Sequence, residues 1–537
     1  MNTHYIAAIG GLCAALLLGA CSTEDDLIEE RNADNPQPIV EPPPSGTSGT
    51  ADFTKYVALG NSLTAGFMDG ALYNSGQQNA FPAILAQQFQ VEGVGGGAFS
   101  LPDINSQNGF NTSLNDGSQP GTIFGRFVLN LTTQSIEPTV GEPITPYAGD
   151  RAQLNSFGVP GVRAIDAGVP GYGQANPFFG RFASAPTASL LGDAALAKGT
   201  FFTVWLGSND VLGWALSGGS APDGEADPEA QSTNSATLTS VASFTEAYQG
   251  IIANMLTTPE TKGVAINIPP VTLLPFFRAV GYNPIPLDEA NAAALNGGYA
   301  QYNQGLDGAV ALQQITAEEA ARRKINFSAA PNNSVVIVDE DLSDIDLSIT
   351  QGLPPGSIVL PKLRQTEDTD LLLLPLANLL GEEQTEGAGP YGLQDAVTDQ
   401  YVLTLNEQVT LITRLATFNG IINGIVASTE GRVALLDVNP LFADAFGLSN
   451  VQAAQLAMSP EAIAAADGTQ GLVVDGVVLT PTFFPNGIFS VDGIHPNPKG
   501  HAVVANEIIR VINESFDATI PRVDTTPYRT ILAPPLM

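Results

Sequence analysis

Four short and almost wholly apolar runs most constrain the fold of this chain, at residues 55–59, 200–206, 263–268 and 433–438. Runs without polar alternation are typical of strands covered on both faces of a parallel sheet. Helical patterns lie beside them, as at 244–256 and 502–516. The alternation predicts an α/β fold: a doubly wound parallel sheet in a three-layer, flavodoxin-like α/β/α arrangement.

The first two runs are each followed by a polar side chain suited to catalysis. Ser62 follows the first run in the sequence GNSL at 60–63, and Asn209 follows the second in GSND at 207–210. Open α/β sheets hold their ligands at the carboxyl ends of the strands, so Ser62 is the candidate nucleophile and Asn209 a candidate amide donor. The structural alternatives are a helix-capping serine and a simple strand-to-helix turn.

A candidate base lies near the end of the chain, in the sequence SVDGIHPNPKG at 490–500. Asp492 and His495 are three positions apart, which brings both side chains to one side of a turn, where the carboxylate could fix the imidazole tautomer. The alternative is a pair that caps the following helix. The chain has three histidines, and His4 lies in an apolar leader, so a histidine base, if one exists, must be His495 or His501. His501 lacks a carboxylate three residues earlier and is expected to be structural.

The sequence NSFGVPG at 155–161 is a turn-rich loop between these blocks. Its glycine amides, at Gly158 and Gly161, could approach a substrate oxygen closely because glycine carries no side chain.

These four stretches, in this order, resemble the GDSL or SGNH hydrolases, a family of esterases and lipases with signature Ser, Gly, Asn and His residues. The resemblance implies Ser62 as nucleophile and His495 as base, oriented by Asp492. It also implies an oxyanion hole made by the backbone N–H groups of Ser62 and Gly161 and the side chain of Asn209. The implied reaction is hydrolysis of a carboxylic ester through an acyl-enzyme intermediate, with no cofactor.

The match departs from the usual family motif at Asn61 and leaves two candidates for the oxyanion glycine. Asn61 stands where the family usually has Asp, but that Asp is not the acid of the triad, so the role of Asp492 is unaffected. Gly158 is a second candidate for the oxyanion glycine, and Gly161 is preferred because it follows Pro160.

Other catalytic classes lack their motifs. The sequence contains no Gly-x-Ser-x-Gly, His-Glu-x-x-His, Walker loop or zinc-type cysteine pair. The acidic run 339–341, followed by Asp344 and Asp346, could collect calcium, but it lacks the central glycine and final glutamate of an EF-hand. A solvated acidic loop is expected there, and no metal.

The apolar segment 6–20 is short for a membrane span and ends in LGAC at 18–21, which resembles a lipobox. Residues 1–20 are therefore expected to be a lipoprotein signal peptide, although 1–5 contain no Lys or Arg, and Cys21 is the expected lipidation site. An acidic, Pro/Gly-rich tether would follow over 21–50. The expected location is the cell envelope, anchored in the outer membrane, with exposure at the cell surface as a further alternative.

The chain has a formal net charge of -34. Such a charge disfavours nucleic acid as a partner, because a basic surface would be needed to bind phosphates. The expected partners are a small-molecule ester and, through the lipid anchor, a membrane.

The wide spacing of the motifs predicts one catalytic domain over 51–520 with large insertions, followed by a tail at 521–537. The main insertion is expected at about 283–428, with helices at 287–312 and from 401 toward 425. Its apolar run at 371–374 is expected to be a buried strand, with an apolar lid as the alternative.

The aromatic residues near the candidate base indicate a substrate class. Phe483, Phe484 and Phe489 precede the candidate base and could line an acyl pocket, whereas indoles that would stack on sugars are limited to Trp205 and Trp214. An acyl-chain substrate is therefore favoured. The alternatives are a carbohydrate (acetyl) esterase of the same family, and a non-catalytic surface lipoprotein that binds a glycan or lipid.

Overall fold

A computed structural model of the chain describes residues 45–532, except 116, 118, 120, 131–134, 349–351 and 447–470. The predicted signal peptide, the predicted lipidation site Cys21 and residues 21–44 of the predicted tether lie outside the described residues.

A five-stranded parallel sheet forms the centre of the fold, with strands β1 Tyr56–Gly60, β2 Ser156–Gly158, β3 Phe201–Trp205, β4 Lys262–Ile266 and β5 Val433–Leu436. Their spatial order is β5-β4-β3-β1-β2. The four apolar runs become β1, β3, β4 and β5, so the prediction of a parallel α/β sheet is confirmed. The sequence did not predict β2, because only three residues of the turn-rich loop at 155–161 pair with β1.

The helices are α1 Ser62–Ala65, α2 Asn74–Gln78, α3 Phe81–Phe89, α4 Ala164–Ala167, α5 Pro177–Gly180, α6 Leu190–Leu196, α7 Asn209–Leu216, α8 Ala230–Thr233, α9 Val241–Met255, α10 Pro275–Arg278, α11 Glu289–Ala311, α12 Ala317–Arg323, α13 Leu405–Ala427, α14 Asn439–Ala445 and α15 Pro498–Phe516. Antiparallel strand pairs join Phe124–Asn130 to Ser135–Val140, Val336–Val338 to Leu363–Gln365, Ile345–Asp346 to Val359–Leu360, Leu371–Leu372 to Val402–Leu403, and Leu472–Val474 to Val477–Leu479.

Both faces of the central sheet are covered by apolar side chains. Alternate residues of β1 point to opposite faces, so Val57 and Leu59 pack in one core while Tyr56 and Ala58 pack in the other. The first core includes residues of α6, α9 and α13, and the second includes residues of α3 and α15. This double burial explains why the strands are apolar throughout rather than alternating.

The region expected to be an insertion has its own core. Buried residues from 285 to 402, among them Leu306, Ile337 and Val402, pack together. The run at 371–374 forms a short buried strand, Leu371–Leu372, which pairs with Val402–Leu403. The strand prediction for this run is therefore confirmed over two residues.

Helix α13 packs on the central sheet, although the sequence placed it within the insertion. Phe418 of α13 stacks on Phe244 of α9 with ring centroids 3.8 Å apart, and Asn419 accepts a hydrogen bond from the Ile268 N–H at 2.9 Å. Its length and mean hydropathy of 1.3 would also suit a membrane span. Its buried stripe lies instead in the core beside the sheet, so the compact part of the expected insertion ends near 402.

The described segments at both ends belong to the folded body. The Thr47 N–H donates to Oγ1 of Thr519 at 3.0 Å, and the Val523 N–H donates to Oδ1 of Asn506 at 2.7 Å. Residues 45–50 and 521–532, which the sequence assigned to the tether and the tail, are thus held by hydrogen bonds to the domain.

Candidate active site

Ser62 is the first residue of α1, directly after the end of β1. Gly60 allows this sharp turn, because a Cβ there would collide with the side chain of Thr64 and the carbonyl oxygen of Trp205. The Leu63 N–H donates to Oδ1 of Asn61 at 3.0 Å. Asn61 therefore caps α1 and fixes the backbone from which the Ser62 side chain projects.

Ser62, His495 and Asp492 form one chain of hydrogen bonds. Nε2 of His495 lies 2.9 Å from Oγ of Ser62, and Nδ1 lies 2.9 Å from Oδ2 of Asp492. With the proton on Nδ1, donated to the carboxylate, Nε2 is free to accept the serine proton. Only 8% of Ser62 and 9% of His495 are exposed, so little water competes for these bonds.

The carboxylate of Asp492 is held by backbone donors. The N–H groups of Ile494 and His495 donate to Oδ1 at 2.9 and 3.0 Å, and the Gly70 N–H donates to Oδ2 at 3.0 Å. Burial would raise the pKa of Asp492, but the imidazole of His495 and the N–H groups of His495 and Ile494 lower the pKa to about 2. Asp492 is therefore ionised at neutral pH and can stabilise an imidazolium on His495.

The three predicted oxyanion donors follow the neighbouring strands β1, β2 and β3. Nδ2 of Asn209 donates to the Val162 carbonyl oxygen at 2.9 Å, which leaves its second N–H available. The backbone N–H groups of Ser62 and Gly161 donate no hydrogen bond within the described part of the chain. All three groups therefore retain a free donor near the carboxyl edge of the sheet.

The two candidate glycines have different environments. Gly158 lies in β2, and a Cβ there would collide with the backbone of Ala65. Gly161 is exposed and has a φ of 81°, in the left-handed region that favours glycine. Gly158 thus allows close packing of α1, whereas Gly161 presents an unpaired N–H.

A largely apolar pocket adjoins the triad. Ser62, Asn209 and His495 form part of its wall, and the remaining wall includes Leu63, Leu212, Val271, Leu274, Leu441, Phe442, Phe489 and Val504. Phe489 thus lies where an acyl pocket was expected, but Phe483 and Phe484 do not line it. Of the two indoles, Trp205 is in the wall and Trp214 is not.

The sequence did not single out Leu441 and Phe442, which lie in α14 just after β5. Their position directly after the apolar run 433–438 could have indicated them, because the carboxyl ends of parallel strands lie at the same edge of the sheet.

His501 is fully buried within α15. Its Nδ1 accepts a hydrogen bond from the Phe81 N–H at 3.4 Å, and it makes no hydrogen bond to Ser62. Burial, with a smaller effect of His495, lowers the pKa of His501 to about 3. His501 is therefore neutral in the core at neutral pH.

Asp69 supports the loop that carries Asp492, a role the sequence did not reveal. The Val491 N–H donates to Oδ1 of Asp69 at 3.3 Å, and the Asp69 N–H donates to Oγ of Ser490 at 3.0 Å. Tyr73 donates its hydroxyl to Oδ2 of Asp69 at 2.7 Å. Burial, together with the charge of Asp492, raises the pKa of Asp69 to about 6. Only folding joins Asp69 to Ser490 and Val491, since these two residues lie more than 400 positions after it.

Among the described residues, one cluster of three acidic side chains could hold a metal ion. It consists of Glu340, Asp399 and Glu407. It includes no residue of the hydrogen-bonded triad.

No family model matches this chain, and comparisons with curated proteins and solved structures find no match. The assignment of a function therefore depends on the residues and geometry described above.

Proposed function

We propose that this chain is a serine ester hydrolase of the GDSL/SGNH type. The observation that carries the proposal is the chain of hydrogen bonds from Asp492 through His495 to Ser62, at the carboxyl edge of the parallel sheet. A nucleophile, a base within 2.9 Å and an anion that orients the base are the components that nucleophilic acyl transfer requires.

The finer architecture that we propose is the three-layer, flavodoxin-like fold. In chain order the strands lie as 2-1-3-4-5 across the sheet, which is the flavodoxin-like order. Packing of α9 and α13 against one face and α3 and α15 against the other supports the same arrangement.

In the proposed reaction, Oγ of Ser62 attacks the ester carbonyl carbon while Nε2 of His495 takes the serine proton. The negative charge that develops on the carbonyl oxygen is stabilised by the N–H groups of Ser62 and Gly161 and the amide of Asn209. His495 then protonates the departing alkoxide. Water, activated by the same imidazole, hydrolyses the acyl-enzyme and restores Ser62.

The wall of the pocket favours an acyl chain over a sugar. Its leucine, valine and phenylalanine side chains could bury methylene groups but offer few partners for sugar hydroxyls. We therefore propose an ester with an alkyl acyl chain as the substrate class.

A covalent probe tests the proposed chemistry directly. A fluorophosphonate should modify the wild-type chain at Ser62, as located by peptide mass spectrometry, and should fail to modify Ser62→Ala. The wild type should also hydrolyse p-nitrophenyl butyrate. Hydrolysis of the ester with modification at a residue other than Ser62 would contradict the assignment.

We also propose that Cys21 carries a lipid anchor at the cell envelope. The LGAC sequence at 18–21 is the basis of this proposal. Acyl chains supply most of the membrane affinity of such a protein, so Cys21→Ser should move to the soluble fraction after cell lysis. Retention of this variant in the membrane fraction would contradict a lipid anchor.

A further inference from the structure

Three carboxylates meet at the start of α13. Glu340 follows the strand Val336–Val338, Asp399 begins the short helix Asp399–Tyr401, and Glu407 lies in the first turn of α13. One oxygen atom from each lies within 4.8 Å of the other two. Carboxylates so close together repel one another unless a proton or a cation lies between them.

Glu407 brings a buried and unpaired oxygen to this cluster. Only 7% of the residue is exposed. Its Oε2 accepts hydrogen bonds from the N–H and hydroxyl groups of Thr404, at 2.6 and 2.8 Å. Its Oε1 is buried and has no hydrogen-bond partner among the described residues, and the same is true of Oδ1 of Asp399. The cluster thus includes two buried carboxylate oxygens, on Glu407 and Asp399, that no donor among the described residues satisfies.

The basic residues nearby are engaged elsewhere. Arg364 binds Asp339 and Asp370, and the ammonium group of Lys362 binds Asp344 and the backbone oxygen of Glu340. Within the described ranges, no lysine or arginine forms a salt bridge with the side chains of Glu340, Asp399 or Glu407. No direct ion pair within those ranges therefore offsets the negative charge of the cluster.

Two glycines bring the backbone after α7 onto the cluster. A Cβ at Gly219 would collide with Oε1 of Glu407, and a Cβ at Gly218 would collide with the backbone oxygens of Asp399 and Val402. Both glycines have positive φ, 63° and 81°. The cluster therefore lies where three parts of the fold meet: the end of α7, the apolar core formed by residues 285–402, and the start of α13.

We propose that Glu340, Asp399 and Glu407 bind one calcium ion that joins these three elements. All three side chains offer the hard oxygen ligands that calcium prefers, and the cluster contains no nitrogen or sulfur donor that would favour zinc or copper. Calcium tolerates irregular ligand geometry better than magnesium does. The exposed position of Glu340 leaves room for water to complete the coordination sphere.

This site differs from the calcium loop that the acidic run suggested. Of that run only Glu340 belongs to the cluster, whereas Asp344 binds Lys362 and Asp346 accepts hydrogen bonds from the N–H groups of Ser348 and Gly356. The other two ligands lie about 60 residues later in the sequence, and the fold brings them to Glu340.

A shared proton is the competing explanation. Burial, followed by repulsion from Glu340, Asp339 and Asp341, raises the pKa of Asp399 to about 7. Burial, with repulsion from Asp399 and Glu340, raises the pKa of Glu407 to about 8. A proton held between these groups would leave the cluster as the pH rises above 8, whereas calcium would bind more tightly at that pH because its ligands are ionised.

The test is thermal unfolding of the full chain at pH 8, after treatment with EGTA, with and without 1 mM calcium or magnesium. Calcium should raise the Tm by about 3 °C or more, and magnesium by less. Glu407→Gln should lose the calcium-dependent rise in Tm, because the substitution removes a negative charge from the site. The variant should still fold, since the Gln side-chain oxygen can accept the hydrogen bonds of Thr404. Asp344→Asn, the control from the same acidic run, should keep the shift.

Two results would overturn the proposed ion site. One is a wild-type Tm that neither cation changes, which would leave a shared proton as the explanation of the cluster. The other is a calcium shift that survives in both Glu407→Gln and Asp399→Asn, which would place the ion elsewhere. An equal shift with magnesium would overturn the choice of calcium.

Discussion

Nε2 of His495 lies 2.9 Å from Oγ of Ser62, although the two residues are 433 positions apart in the sequence. In the proposed reaction, this distance lets His495 remove the serine proton during attack on a carbonyl carbon. The contact depends on the fold, because Ser62 follows the first strand of the sheet and His495 precedes the last helix.

Ser62→Ala removes the proposed nucleophile and leaves the backbone of α1 unchanged. We expect the variant to fold normally and to lose ester hydrolysis by about 10³- to 10⁶-fold in kcat, as when a triad member is removed from other serine hydrolases. The measurement is the rate of p-nitrophenyl butyrate hydrolysis. Ser156→Ala, at a buried serine of β2, is the matched control and should retain activity. A Ser62→Ala rate within tenfold of wild type would refute the nucleophile assignment.

The two histidines of the folded domain should behave differently. His495→Ala should match the loss seen in Ser62→Ala, because Ser62 then has no base. His501→Asn should keep activity close to that of the wild type, since a side-chain carbonyl can still accept the Phe81 N–H and the residue does not contact Ser62. The rate of p-nitrophenyl butyrate hydrolysis distinguishes the two variants. If His501→Asn were inactive and His495→Ala active, the base would be His501.

Asn209→Ala tests the oxyanion hole. Its amide has one N–H bound to the Val162 carbonyl and a second available for substrate. Loss of one preorganised donor should lower kcat by about 10²- to 10³-fold while KM changes little. Circular dichroism of the variant checks that α7 still forms without its first side chain. An unchanged kcat would leave Asn209 a purely structural residue that joins α7 to the loop after β2.

The buried neutral His501 should make the protein sensitive to acid. Its pKa is lowered to about 3 in the folded state, so between pH 6.5 and 3 the unfolded chain binds the extra proton. The stabilisation is thus fully present above pH 6.5 and is lost as the pH falls, by at most about 1.4 kcal/mol per pH unit.

Urea unfolding at several pH values measures this effect as a difference between wild type and His501→Asn. The comparison is needed because the raised pKa of buried acids such as Asp69 has the opposite effect on stability. The free energy of unfolding of the wild type should fall more steeply below pH 6.5 than that of the variant. Parallel curves would contradict a neutral, buried His501.

Local sequence signals predicted much of the fold and the triad, because they depend on patterns of a few residues. Apolar runs identified β1, β3, β4 and β5, and the three-residue spacing identified the pair Asp492 and His495. No comparable pattern indicated β2, which is three residues long. It also missed Asp69, whose role arises only when a distant turn packs against the loop at Ser490 and Val491.

The packing partners of α13 could not be predicted from the sequence either. Its apolar periodicity predicted a helix, but periodicity does not say which core the helix joins. Arg414 of α13 binds Asp223 at 3.0 Å, and Phe418 stacks on Phe244, so the helix packs beside α9 rather than with the insertion. Such partners are determined by tertiary packing and not by the local pattern.

The apolar wall of the pocket predicts how activity depends on acyl chain length. Each methylene group that the wall buries contributes about 0.8 kcal/mol, so kcat/KM should rise about fourfold per carbon from acetate upward until the pocket is filled. The measurement is kcat/KM for p-nitrophenyl esters from acetate to octanoate. A carbohydrate deacetylase would instead prefer acetate and would hydrolyse acetylated sugars faster still.

Leu212→Asn tests whether this wall is responsible for the selectivity. Leu212 lines the pocket one helical turn after Asn209, so a polar amide there should lower kcat/KM for octanoate by about tenfold or more and leave acetate nearly unchanged. Leu196→Asn is the matched control, because Leu196 is 72% exposed at the end of α6. Equal losses for acetate and octanoate in Leu212→Asn would indicate damage to the oxyanion hole or the fold, and would refute a role for Leu212 in binding the acyl chain.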